Sequence, residues 1–94
     1  MAVYLVSWNL NKEKTTYNQA RDAFFALIKQ YPYAYDSNLD SVVFIQTEQP
    51  AQQLYTQLGA VLDKNDRILI TQMTRGAYVG WLNQDVVNWL NARV

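Results

Sequence analysis

The chain predicts an α+β domain with strand and helix patterns in the order β-α-β-β-α-β. Two short stretches, residues 2–9 and 41–47, are apolar at both odd and even positions, as strands covered on both faces are. Two longer ones, beginning at Tyr17 and Ala51, repeat apolar residues about every three to four positions. Turn-forming residues separate these stretches.

In the first strand, Val3, Leu5 and Ser7 point to one side and Tyr4, Val6 and Trp8 to the other. A polar loop over residues 11–14 follows. Thr16 with Gln19 has the spacing of a capping box. From there Tyr17, Ala20, Phe24, Leu27, Ile28 and Tyr31 trace one helical stripe, and Pro32 stops the helix. Residues 33–36 are a short strand candidate, and Ser37, Asn38 and Asp40 supply turn chemistry. In the next strand, 41–47, Val42 and Phe44 oppose Val43 and Ile45. Pro50 suits the first turn of a second helix, whose stripe is Ala51, Leu54, Tyr55 and Leu58, with Gly59 as its stop. Residues 63–66 form a turn, and 67–74 a strand in which Ile68 and Ile70 oppose Leu69, Thr71 and Met73. Arg75-Gly76 signals another turn, and residues 77–82 read as a short extended piece. Asn83 caps a last helix, with Val86, Trp89 and Leu90 on one stripe.

This order satisfies the right-handed crossover rule in the ferredoxin-like arrangement, a single domain over residues 1–94 with residues 76–94 as an appendage. Two helices then cover one face of the sheet, and the first and third strands lie in its middle. Those are the strands read as apolar on both sides, so the face away from the helices is apolar as well. At roughly 25 cal/mol per Å², about 400 Å² of such surface left in water forgoes on the order of 10 kcal/mol. Two covers are open: the C-terminal segment, bringing Trp81, Trp89 or Leu90, or a second subunit packed sheet to sheet. The expected partner is therefore a second copy, through the open sheet face and the C-terminal segment.

Composition narrows the chemistry. Ninety-four residues make one core. Seven Tyr, three Trp and three Phe favour core and interface packing. Eight basic and eight acidic residues give zero formal charge, which removes any global attraction to nucleic acid or anionic lipid and leaves only local patches. With no Cys and no His, there is no disulfide, thiol nucleophile or Ser-His pair, and a metal would need oxygen ligands. No apolar run reaches the length of a membrane span and no signal peptide is evident, so no membrane partner and a cytoplasmic location are expected.

The first strand closes on Trp8-Asn9. Leu39-Asp40-Ser41 leads into the strand at Val42, and Leu62-Asp63-Lys64-Asn65-Asp66-Arg67 runs into Ile68, Leu69 and Ile70. Together with the element order, these features resemble the small CRISPR-associated endonuclease and adaptor subunit of spacer acquisition, and more closely the small SinR-like proteins of that superfamily. The resemblance extends to about residue 75. It implies nucleic-acid association. In nuclease members the first strand ends in an aspartate, and two such aspartates in the dimer hold a divalent metal. Here Asn9 stands at that position. A neutral amide is a weaker ligand for a hard cation than a carboxylate and cannot act as a general base, so the chain leans away from catalysis.

Asn9 is the one catalytic candidate, and Asn9 with Asp36 or Asp40 the only metal candidates. No cofactor is expected, and magnesium or manganese only if the chain is a nuclease. Lys64, Arg67 and Arg75 could form one basic patch near the ends of the last strand, and Lys12 and Lys14 another in the first loop. Beside Tyr78 or Trp81 such a patch could hold a nucleic-acid strand by phosphate contact and stacking. Three readings follow: a non-catalytic or weakly active dimeric adaptor or nucleic-acid-associated relative of the spacer-acquisition subunit, a small-ligand-binding or regulatory module, and a metal-dependent nuclease or ribonuclease.

Overall fold

The computed structural model describes residues 1–11 and 16–94. Lys12 and Lys14 lie outside the described residues. The fold is α+β, with a four-stranded antiparallel sheet and three helices. The strands β1 (Ala2–Asn9), β2 (Tyr33–Ala34), β3 (Val42–Thr47) and β4 (Arg67–Gln72) lie in the order β2-β3-β1-β4. The helices are α1 (Tyr17–Ile28), α2 (Ala51–Leu58) and α3 (Gln84–Arg93), and a 3₁₀ turn, Gly59–Val61, extends α2.

The two strands with apolar residues on both faces lie at the centre. β1 pairs with β3 from Ala2 opposite Thr47 to Ser7 opposite Val42, and with β4 from Tyr4 opposite Gln72 to Asn9 opposite Arg67. Paired residues share a face, so this register sorts the side chains into two cores. Tyr4, Val6, Trp8, Val43 and Ile45 face α1 and α2, where Phe24, Ile28, Leu54 and Leu58 are fully buried. Trp8 tilts against Phe24 at 5.0 Å and meets Phe25 edge-on at 5.5 Å between ring centroids. The Tyr4 hydroxyl donates to the Gln49 carbonyl at 2.9 Å, tying β1 to the approach to α2. On the opposite face Val3, Ala34 and Phe44 pack with Val86 and Leu90 of α3.

Local details depart from expectation in physical ways. Thr16 stands at the N-cap of α1, but its side chain makes no capping bond. Its ψ of 22° is far from the extended conformation that turns a capping oxygen toward the first helical N–H groups. The α1 stripe stops at Ile28. Tyr31 follows through a tighter turn, its N–H bonded to the Ile28 carbonyl at 3.0 Å, before Pro32. Three strands are shorter than predicted: β2 spans two residues, β3 begins at Val42 and β4 ends at Gln72. Residues 77–82 form no strand. The Ala77 N–H closes a turn onto Thr74, with Gly76 at φ 79°, where glycine is favoured. Among the described residues, no helix is long and apolar enough to cross a membrane.

Candidate association surface

The C-terminal segment covers the second sheet face in cis, and two side-chain oxygens place it. Asn83 caps α3, its Oδ1 accepting the Val86 N–H at 2.9 Å. The backbone N–H of Asn83 in turn donates to Asp36 Oδ2 at 2.8 Å, across 47 residues of sequence. Asp36 Oδ1 accepts the Asn38 N–H at 3.0 Å, the local turn that Asp chemistry favours. The Asp36 side chain is therefore a clamp between the β2–β3 turn and the start of α3. The Asn83 N–H, and then that of Asn38, hold its carboxyl below the ordinary value of 3.8, against the opposing pull of desolvation.

The cover is incomplete. Val86 and Leu90 are buried against Val3, Ala34 and Phe44, and Trp89 packs beside them. Arg93 lies over the Trp89 ring at 4.4 Å and donates to the Trp89 carbonyl at 3.2 Å. Trp81, read as part of the cover, is instead 97% exposed, and its neighbour Val79 is 99% exposed. Leu69, which pairs with Ser7 and so belongs to this face, is 65% exposed. Between the strands, α3 and residues 78–82 runs a groove of about 430 Å³. Leu5, Phe44 and Met73 line it from the sheet side, Val87 and Leu90 from α3, and among the described residues no charged side chain borders it.

Asn9 is exposed at the end of β1. It lines a polar pocket of about 250 Å³ with Tyr17, Arg21, Asp40 and Ser41. Asn9 and Asp40 thus share a pocket, and the Arg21 guanidinium borders it too, 4.6 Å over the Phe25 ring. The Tyr35 hydroxyl fixes the turn here by donating to the Asp40 carbonyl at 2.8 Å. Asp36 is not part of this pocket, because both its oxygens accept backbone N–H groups elsewhere. Among the described residues, no three His, Cys, Asp or Glu side chains stand together as a metal site would require.

The basic residues of the last strand do not form one patch. Arg67 opens β4 and donates to the carbonyls of Lys64 and Asp66, at 3.0 and 2.9 Å. Arg75 lies past the other end and donates to the Val94 carbonyl at 3.2 Å. A six-residue strand rises roughly 3.3 Å per residue, so β4 alone separates the two by about 17 Å. Arg75 shares a shallow concavity with Tyr78 and Asn91. The turn before β4 is held by Asp66, which accepts the N–H groups of Asn11 at 2.7 Å and Asp63 at 3.0 Å. Asp63 and Asp66 shape that turn, as turn carboxylates do.

The sequence did not point to Asp36 as the clamp of α3, nor to Leu39 and Val79 as parts of the groove. Asp36 two residues before Asn38 signals a local turn, and nothing local reveals a partner 47 residues away. Val79-Gly80-Trp81 did carry a signal, an apolar run that follows neither strand nor helix periodicity. No family model matches the chain, and no curated protein matches it.

Proposed function

We propose that this protein is a non-catalytic association module, a dimeric adaptor or nucleic-acid-associated relative of the CRISPR-associated spacer-acquisition subunit and its SinR-like kin. The observation that carries this reading is the uncharged groove left between the sheet, α3 and residues 78–82. Its exposed Trp81 and Val79 make it a surface built for contact rather than for chemistry. The strand order β2-β3-β1-β4, with α1 and α2 packed on one face, supports a ferredoxin-like arrangement. Asn9 supports a non-catalytic role, since it supplies a neutral amide where nuclease relatives carry a carboxylate. Arg75 beside Tyr78 supports contact with a nucleic-acid strand, by phosphate pairing and base stacking.

The test is binding to duplex and single-stranded DNA across a salt series, with and without magnesium or manganese. The adaptor reading expects binding that weakens steeply with salt and no strand cleavage. Metal-dependent cleavage lost in Asn9→Ala would replace it with the nuclease reading, for which Asn9 and Asp40 share a polar pocket.

A second reading has its own observation. A groove of about 430 Å³ with an apolar lining falls within the size range of small-ligand sites. A regulatory module that binds a small apolar molecule would show saturable quenching of Trp81 fluorescence by such compounds and no DNA binding.

A further inference from the structure

Resting on the reading of the chain as a dimeric module, we infer that a second copy seats its Trp81 in this groove. The first copy's Trp81 enters the second copy's groove in return. One surface carries both halves of that contact. Trp81 and Val79 project almost wholly uncovered, at 97% and 99% exposure. They form the rim of the hollow on the side of residues 78–82, with Leu5 and Phe44 on the sheet side and Val87 and Leu90 on the α3 side. A two-fold interface must be its own complement, so that a residue meeting a partner residue is met by it in turn. A projecting Trp next to an apolar hollow on one face meets that condition, whereas a hollow alone would not.

Charge selects the same occupant. Among the described residues no charged side chain borders the groove, and the chain's formal charge is zero, so two copies meet there without like-charge repulsion. A phosphate backbone or a strongly charged peptide would find no counter-charge in the groove. The area is also of the right order. A stable interface buries about 800 Å² on each partner. A fully exposed Trp offers roughly 200 Å² of that. Leu69, Leu39 and Tyr78 continue the exposed apolar surface at 65%, 44% and 39% exposure.

The experiment is sedimentation velocity over a concentration series on the full chain, on Trp81→Ala, which removes the knob, and on Val87→Trp, which fills the groove. Circular dichroism and thermal unfolding verify that each variant folds. A contact of this kind behaves as an interface hot spot, so Trp81→Ala should weaken the dimer by at least about 30-fold. Val87→Trp should weaken it comparably. Mixing the two variants should restore part of the association, because the Trp81→Ala chain keeps the sheet and α3 walls of its groove and the Val87→Trp chain keeps a knob. A wild-type dimer that Trp81→Ala leaves equally tight would overturn the inference while leaving the dimeric reading intact. Two folded, monomeric variants that fail to associate when mixed would overturn the reciprocal contact. A wild-type chain that stays monomeric at every concentration would overturn both.

Discussion

On one face of the sheet, α1 and α2 bury Phe24, Ile28, Leu54 and Leu58 completely. On the other, α3 buries only Val86 and Leu90, and Leu69 and Trp81 remain largely in water. The same strands build both faces, and alternate residues of β1 and β3 are apolar on each. What differs is the number of helices. A helix with its side chains is about 10 Å across, and strands lie about 4.8 Å apart. Two helices therefore cover four strands, while one covers about two. α3 packs toward Ala34 and Phe44, and the β4 side is left open. An apolar face with half a cover is what separates this domain from a closed sandwich.

Substitutions can break that comparison or sharpen it. The largest effect belongs to the closed face: Phe24→Ala should cost about 3–5 kcal/mol in urea unfolding, because a fully buried ring leaves a cavity that packed neighbours cannot fill. Leu90→Ala, on the half-covered face, should cost about 2–3 kcal/mol, at the lower end for such changes, since α3 can settle toward the groove. Equal losses at the two sites would erase the distinction between the faces. Removing the cap that starts α3, by Asn83→Ala, should cost about 1 kcal/mol and increase hydrogen exchange throughout α3 while leaving α1 unchanged.

Asp36 links pH to the same cover. Its carboxyl is held below the ordinary 3.8 by the Asn83 and Asn38 N–H groups, so the folded state favours the ionised form. The contribution is fully present above 3.8 and is lost as the pH falls below that value toward the folded-state pKa. The urea midpoint of the wild type should therefore decline through this acid window. In Asp36→Asn the share of the decline due to this group should be missing. An identical pH dependence in the two proteins would remove Asp36 as the clamp. The smallest effect on stability belongs to Trp81→Ala, within about 0.5 kcal/mol measured at low protein concentration, because an uncovered side chain supports nothing within its own chain.

Much of this was legible in the sequence. Alternation set Val3 opposite Val6 within β1 and Phe44 opposite Ile45 within β3, and the register then puts Val3 with Phe44 on one face and Val6 with Ile45 on the other. The same double-sided pattern indicated that the second face needs a cover, and α3 was legible from Asn83, Val86 and Leu90. The partition of the cover was not. Trp81 and Trp89 are equally hydrophobic as letters, yet only Trp89 lies on the helix that reaches the sheet. Trp81 sits in a segment whose path is set by Gly76, with its positive φ, and by the Asp36–Asn83 bond, a long-range contact with no periodic trace. The basic residues failed for a related reason. Arg67 and Arg75 are eight positions apart in sequence, but β4 extends between them and carries them to opposite ends of the sheet.

The most direct test of the half-covered face is amide hydrogen exchange at low and high protein concentration. If a second copy packs there, protection at residues 79–82 and 69–71 should rise with concentration while the exposed surfaces of α1 and α2 stay the same. Exchange at residues 79–82 that is fast and independent of concentration would contradict the account and leave the groove as solvent-exposed surface.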